Sequence, residues 1–370
     1  MPDILKGDHV AHTDNYIHII KIEQFKGADT VEKETVKSNI QKFYGLYPDE
    51  IEKVKNVCKI RCKDKFFCLK VIKYEYGHFI FIISAIKHLQ SKGFETIPAF
   101  IKTLSGNDYI EIDGKYAYLT EWIDARESDY DNTHDIILTA QKMAELHIKS
   151  RNFSITPQMF PRTGWFKWIE TYSTRINEIL DFKNRIENKK KRTRFDNVYL
   201  GIMEEEIERG KNSIDNLSDS DYMFIMEQEI TEKGFCHHDF ACHNVLIKDN
   251  DKVNIIDFDY CILDSHLHDL SSFLMRTMKN GRWSIENALI ILRTYNEVYP
   301  LFKEEIPVMA AFLEFPQDYW QIGIQYYWER QPWSEDFFMK RLDKIIEDRD
   351  MRQEFIDDFR HTQYAFRNIS

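Results

Sequence analysis

What the chain lacks narrows the field first. No stretch approaches the ~18 consecutive apolar residues of a membrane-spanning helix. The opening Met1-Pro-Asp-Ile-Leu-Lys6 has no charged leader followed by an apolar run, so no secretion signal is read and synthesis in the cytosol is expected. Positive charge is scarce: 50 Lys and Arg face 61 Asp and Glu, a formal net charge of −11. Nucleic acids and anionic membranes attract basic surfaces, so neither is an expected partner. Cysteine never occurs as a Cys-x-x-Cys pair among Cys58, Cys62, Cys68, Cys236, Cys242 and Cys261. Neither a zinc ribbon nor a redox motif is indicated, and buried free thiols are expected. Internal repeats and low-complexity tracts are missing too.

What remains is 370 residues at 43% hydrophobic content. That exceeds the roughly 100–200 residues of a typical domain, so two lobes or two domains are expected. The first half reads as mixed strand and helix, the second as mostly helix. Residues Asp29 to Phe43 read as a helix on an apolar stripe of Val31, Val36, Ile40 and Phe43. Asn56 to Ile60 and Lys65 to Lys73 read as strands joined through Cys62-Lys63-Asp64. In the second strand both faces are apolar except at Lys70. A buried lysine needs a negative partner, and phosphate is one candidate; a lysine reaching solvent at the sheet edge is the other. A helix is expected over His78 to Lys92, capped by Gly93. Strands follow at Ile97 to Leu104, Tyr109 to Ile112 and Tyr116 to Ile123, then a helix over Ile136 to Lys149. The charged stretch Asp181 to Lys211, with its basic run Lys189 to Arg194, reads as an exposed helix.

Chemistry concentrates in Gly234-Phe-Cys-His-His-Asp-Phe-Ala-Cys-His-Asn244, followed by Val253-Asn-Ile-Ile-Asp-Phe-Asp-Tyr260. Val245-Leu-Ile and Val253-Asn-Ile-Ile are short apolar strands around a turn-rich linker, a hairpin. Folded symmetrically, it sets Asn244 opposite Asp257, and alternation puts Asp259 on the face of Asp257. Such hard oxygen ligands suit Mg²⁺, completed by water and substrate phosphates. Asp239, just upstream, is placed to accept the proton of a substrate hydroxyl, as the phosphoryl-transfer template requires. Asp259 is read either as a further metal ligand or as the start of a turn. The histidines His237, His238, His243, His266 and His268 lack the compact spacing of a zinc site, which argues against a metal hydrolase. The aromatic cluster from Phe312 to Trp328 reads as helix core, and Glu314 and Asp318 as a solvated face rather than a site for a cationic acceptor.

His238-Asp239-x-x-x-x-Asn244 with Ile256-Asp257-Phe258-Asp259 resembles the aminoglycoside phosphotransferase and choline kinase superfamily, related to protein kinases. Within it the chain is most similar to spore coat proteins of the CotS family, through Phe235-Cys-His-His-Asp-Phe-Ala-Cys-His-Asn, His268-Asp-Leu-Ser-Ser-Phe-Leu-Met-Arg276 and Phe315-Pro-Gln-Asp-Tyr-Trp320. The resemblance implies an α+β, two-lobed protein-kinase-like fold: a small antiparallel-sheet lobe over residues 1–123 and a larger, mainly helical lobe over 124–370. It makes Asp239 the candidate catalytic base, with Asn244 and Asp257 as Mg²⁺ ligands. Lys70 is the candidate phosphate contact, and Tyr118, Leu119, Thr120 and Glu121 the hinge that meets the base of ATP or GTP. Asp269 braces the catalytic loop. The implied partners are a nucleotide, a small-molecule or peptide acceptor, and other spore coat proteins, with assembly into the coat. Three departures stand out: the strand turn before Lys70 has no glycine, the helix after it has no acid to pair with Lys70, and His238 stands where the family usually has glycine. Two functions are therefore carried forward, a phosphotransferase and a kinase-like structural protein of the spore coat.

Overall fold

The computed structural model describes residues 32–366. The smaller lobe begins with helix α1 (Lys33–Tyr44), which buries Val36, Ile40 and Tyr44 and ends on Gly45 at φ 66°. The Asp29–Val31 portion of the expected helix lies outside the described residues. Strands β1 (Glu50–Val54), β2 (Val57–Cys62) and β3 (Lys65–Ile72) then run antiparallel, followed by helix α2 (Tyr76–Ser91). Gly93, at φ 76°, closes α2 with its N–H on the Gln90 carbonyl, a left-handed cap open to a residue without Cβ. Strands β4 (Ile110–Ile112) and β5 (Lys115–Glu121) complete a five-stranded sheet in the order β1-β2-β3-β5-β4.

Two strand expectations need correction. Ile97–Leu104 is not a strand: only an isolated bridge, Phe100 to Thr120, and the Ile101 N–H on the Leu119 carbonyl tie it to the sheet. Pro98, which has no N–H, sits at its start and removes a ladder donor. Strand β1, conversely, carried no legible signal. It is an edge strand without a buried residue, so no apolar alternation marks it.

The larger lobe is helical apart from a three-stranded sheet of β6 (Arg126–Glu127), β7 (Val245–Ile247) and β8 (Val253–Ile255). Its helices are α3 (Thr133–Ser150), α4 (Trp168–Glu187), α5 (Arg194–Ser218), α6 (Tyr222–Glu232), α7 (His266–Met278), α8 (Ile285–Val298), α9 (Glu305–Glu314), α10 (Gln317–Gly323) and α11 (Glu335–His361). The basic run expected inside one helix instead forms the α4–α5 connection. Thr193 and Asp196 make a capping box that starts α5 there, and Lys189 pairs with the buried Asp196 at 2.7 Å. No helix among the described residues is long and apolar enough to cross a membrane.

The aromatic stretch is core, as its spacing suggests: Tyr199 stacks on Tyr319 at 4.1 Å, and Tyr172 on Phe315 at 4.2 Å. Gly323 is wedged against the Tyr199 hydroxyl and the Phe182 ring, so a Cβ there would overlap both. Gly323→Ala is expected to destabilise by about 1–3 kcal/mol through overpacking, read as a lower urea midpoint. A midpoint equal to wild type would show that the two rings yield freely.

Candidate active site

The loop between Gly234 and Val245 enters β7 through a 3₁₀ turn, Cys242–Asn244. It is shaped by one buried carboxylate. Asp269, in the first turn of α7, accepts the backbone N–H of His237 at 2.8 Å and of His238 at 2.7 Å. It also meets His147 Nε2 at 3.1 Å, while His147 Nδ1 faces the Tyr295 hydroxyl at 2.6 Å. Burial keeps His147 below its ordinary range and therefore neutral, so Nε2–H donates to Asp269 and Nδ1 accepts from the tyrosine. Burial opposes charge on Asp269, but the His147 hydrogen bond wins and holds its carboxyl below the usual carboxylate range.

His238 adopts φ 70°, the left-handed region that glycine enters without strain. Its ring stacks on His268 at 4.1 Å. The side chain that ties the loop together is that of His237: Nε2 donates to the Ile256 carbonyl at 3.0 Å, and Nδ1 accepts the Asp239 N–H at 3.3 Å.

Asp239 and Asn244 are in direct contact, the Asn244 amide donating to Asp239 Oδ2 at 2.9 Å and to its carbonyl at 3.0 Å. Asp239 Oδ1 receives the guanidinium of Arg276 at 2.7 Å, a partner that sequence reasoning missed. The signal was present: Arg276 follows Asp269 by two turns of α7, so both lie on one helix face.

The hairpin forms, with a correction to its geometry. Val245 pairs with Ile255, which places Asn244 opposite Ile256, whose N–H donates to the Asn244 carbonyl at 3.0 Å. Asp257 lies one residue beyond. Nor does alternation align Asp259 with it, because the strand has ended: Asp257 sits at φ 67° and Phe258–Tyr260 is a 3₁₀ turn. Both carboxylates nevertheless converge on Lys70, Asp257 at 2.5 Å and Asp259 at 3.0 Å.

Lys70 is 4% exposed, which excludes the solvent-edge reading. Burial works against its charge, yet the two carboxylates hold its pKa well above the ordinary value. Asp257 is likewise opposed by burial and held below the usual range by Lys70, whereas burial and the neighbouring Asp257 push Asp259 up. Two half-buried carboxylates sharing one lysine leave an excess of negative oxygen that a small hard cation would relieve. The donor set thus fits Mg²⁺. No acid of α2 joins Lys70; His78 of that helix instead reaches the Asp259 carbonyl at 3.3 Å.

Tyr118 to Glu121 lie inside β5, register partners of Lys70 to Phe67, and the Leu119 carbonyl is also taken by Ile101. The Trp122 N–H bonds the Phe66 carbonyl at 2.9 Å, so the pairing with β3 runs one residue past the expected hinge. The turn that covers the cleft is Lys55-Asn56, between β1 and β2. Lys55 takes φ 51°, a conformation for which this turn position favours glycine. Its ammonium pairs with Glu127 of β6 at 2.8 Å, and Asn56 reaches Asp257 at 3.4 Å, so the turn is tied down to the larger lobe. Glu314 is buried against Asn216 and Arg360, and Asp318 is half-buried. Burial opposes the charge of Asp318, but Lys279, Arg352, Arg341 and Arg276 hold it below the usual range; the solvated face expected for this pair is corrected, since Glu314 is buried.

A small antiparallel sheet over a helical lobe, with a lysine, two aspartates and a braced His-x-Asp loop in the cleft between them, defines a two-lobed protein-kinase-like fold. Solved structures share it. An aminoglycoside phosphotransferase from Alicyclobacillus acidocaldarius superposes with a TM-score of 0.78 at 20% identity, over 92% of this chain and 98% of that one. A spectinomycin phosphotransferase in complex with ADP and spectinomycin gives 0.62 at 15% identity, over 91% and 100%. Residues 37–359 match the family described as "Spore coat putative kinase YutH", and the chain belongs to that family. It is also similar to spore coat protein S of Bacillus subtilis, 22% identical over 332 residues, 88% of this chain and 94% of the relative.

Proposed function

We propose that this spore coat family member is a phosphotransferase that uses ATP or GTP with Mg²⁺ to phosphorylate a hydroxyl of a small molecule or peptide. The observation that carries this reading is the convergence of Lys70, Asp257 and Asp259 beside Asp239 and Asn244, on a loop braced by Asp269. Lys70 contacts phosphate, and the base of the nucleotide lies against the backbone that follows Glu121. Asn244, Asp257 and Asp259 would hold Mg²⁺, which when bound neutralises phosphate charge. Asp239 orients the acceptor hydroxyl and takes its proton as the oxygen bonds to the γ-phosphorus. The bond from that phosphorus to the bridging oxygen breaks, and its electron pair leaves with the nucleoside diphosphate. No covalent enzyme intermediate is needed; positioning and charge neutralisation supply the rate.

The second reading is a kinase-like structural protein of the coat that keeps the fold without turnover and needs no nucleotide. The glycine-free turn favours it, because Lys55 and Asn56 tie the lid to Glu127 and Asp257 where phosphates would enter. A thermal shift with ATP or GTP, each with and without Mg²⁺, tests both. A ligand that binds only the native state at ~100 times its Kd stabilises by ~2.7 kcal/mol. The expected result is a Mg²⁺-dependent rise in Tm. No rise with either nucleotide would refute the nucleotide site and leave the structural reading.

A further inference from the structure

Helix α7 touches the catalytic loop twice. Asp269 holds the backbone at His237 and His238, and two turns later Arg276 reaches the carboxylate of Asp239 itself. The ion pair is largely enclosed, with 22% of the Arg276 side chain and 13% of the Asp239 side chain exposed. Asn244 occupies the other Asp239 oxygen at 2.9 Å, so the carboxylate is gripped from both sides and has one rotameric setting. Each oxygen still has a lone pair for an incoming hydroxyl proton.

The site poses an electrostatic problem that this pair addresses. A γ-phosphoryl group must approach an acceptor oxygen held by a carboxylate, anion against anion, in a cleft where Lys70 is already shared between Asp257 and Asp259. Arg276 brings a positive charge to the acceptor side. A guanidinium is planar, permanently charged and many-donored; only one of its nitrogens is engaged by Asp239.

We infer that Arg276 is a positioning residue of the transfer step: it fixes the Asp239 carboxylate toward the acceptor hydroxyl and offsets the repulsion between that carboxylate and the incoming γ-phosphoryl. This rests on the phosphotransferase reading above. It requires an effect on turnover that does not pass through nucleotide binding, because Arg276 contacts Asp239 and neither Lys70 nor Asp257.

The test uses the full chain and ATP turnover with water as acceptor, measured as ADP release, alongside Mg²⁺–AMP-PNP affinity. Arg276→Ala is expected to lower kcat on the order of 100-fold, the scale for losing one preorganised donor. The KM for ATP and the AMP-PNP affinity stay at wild-type values. Arg276→Lys recovers part of kcat because it keeps the charge without the planar fork. Millimolar guanidinium restores part of the Arg276→Ala rate, which a merely structural role would not allow. Lys279→Gln, which removes a charge from the same end of α7 without touching Asp239, controls for net charge and leaves kcat unchanged. Wild-type kcat in Arg276→Ala would overturn the inference while leaving the phosphotransferase reading intact. So would equal losses in kcat and AMP-PNP affinity. Wild-type protein that binds Mg²⁺–AMP-PNP but never releases ADP above background would overturn both.

Discussion

Asp257→Asn is expected to remove Mg²⁺-dependent nucleotide binding while the protein stays folded. The substitution is conservative where the backbone is demanding. Position 257 has φ 67°, and Asn is among the few residues that enter this region readily. Lys70 keeps Asp259 as its counter-ion at 3.0 Å, so no buried cation is orphaned. What disappears is the anionic oxygen, one of the hard donors that Mg²⁺ prefers over a neutral amide. Removing even an outer partner of a metal ligand costs about 10–100-fold in affinity, so loss of a ligand itself should cost at least about 100-fold. The readout is the Tm rise given by ATP with Mg²⁺, which should vanish, set against an unfolding curve without nucleotide, which should change little. Undiminished Mg²⁺-dependent affinity would mean that Asp257 holds no metal, and the assignment of Asn244 and Asp259 beside it would fall too.

Local features were legible in the sequence and tertiary ones were not. The His-Asp-x-x-x-x-Asn loop and the hairpin after it are short-range, so residue spacing alone brought Asp239, Asn244 and Asp257 near one another. Even there, a left-handed residue and a 3₁₀ turn, not strand alternation, point Asp259 at Lys70. Burial of Lys70 was one of two open readings, because strand pattern cannot show what covers a face. The lid is hidden in the sequence because β1 is an exposed edge strand. Without β1, the sequence points to the turn between β2 and β3 rather than to Lys55-Asn56. Charge density alone reads the basic run as helix, whereas the capping box of Thr193 and Asp196 at its end is the local signal that starts α5 there. Arg276 ends the motif that begins at His268, yet nothing local marks its role. Its seven-residue offset from Asp269 becomes informative only once both are placed on one helix, against a loop more than thirty residues earlier in the chain.

Asp269→Ala should cost both stability and the shape of the catalytic loop. Its carboxylate satisfies two backbone N–H groups and one imidazole in a place that is 1% exposed. Water cannot replace it without entering the core. Removing one partner of a buried, hydrogen-bonded charge typically costs about 3–5 kcal/mol, because the groups left behind are desolvated and unpaired. A second term comes from His238. A non-glycine residue in the left-handed region costs of the order of 1–3 kcal/mol, and persists only when its surroundings impose it. The Asp269–His238 N–H bond at 2.7 Å is the imposing contact. Once it is gone, the loop relaxes toward negative φ at His238 and carries Asp239 away from Asn244 and Arg276. The urea midpoint should fall accordingly. Hydrogen exchange should show the amides of residues 234–244 losing protection at urea concentrations where α4 and α5 remain protected. Asp269→Asn keeps one acceptor oxygen and should lie between alanine and wild type. If Asp269→Ala matched wild type in midpoint and in loop protection, the positive φ at His238 would have to be held by its ring stack on His268 instead, and the brace would belong to the histidine pair.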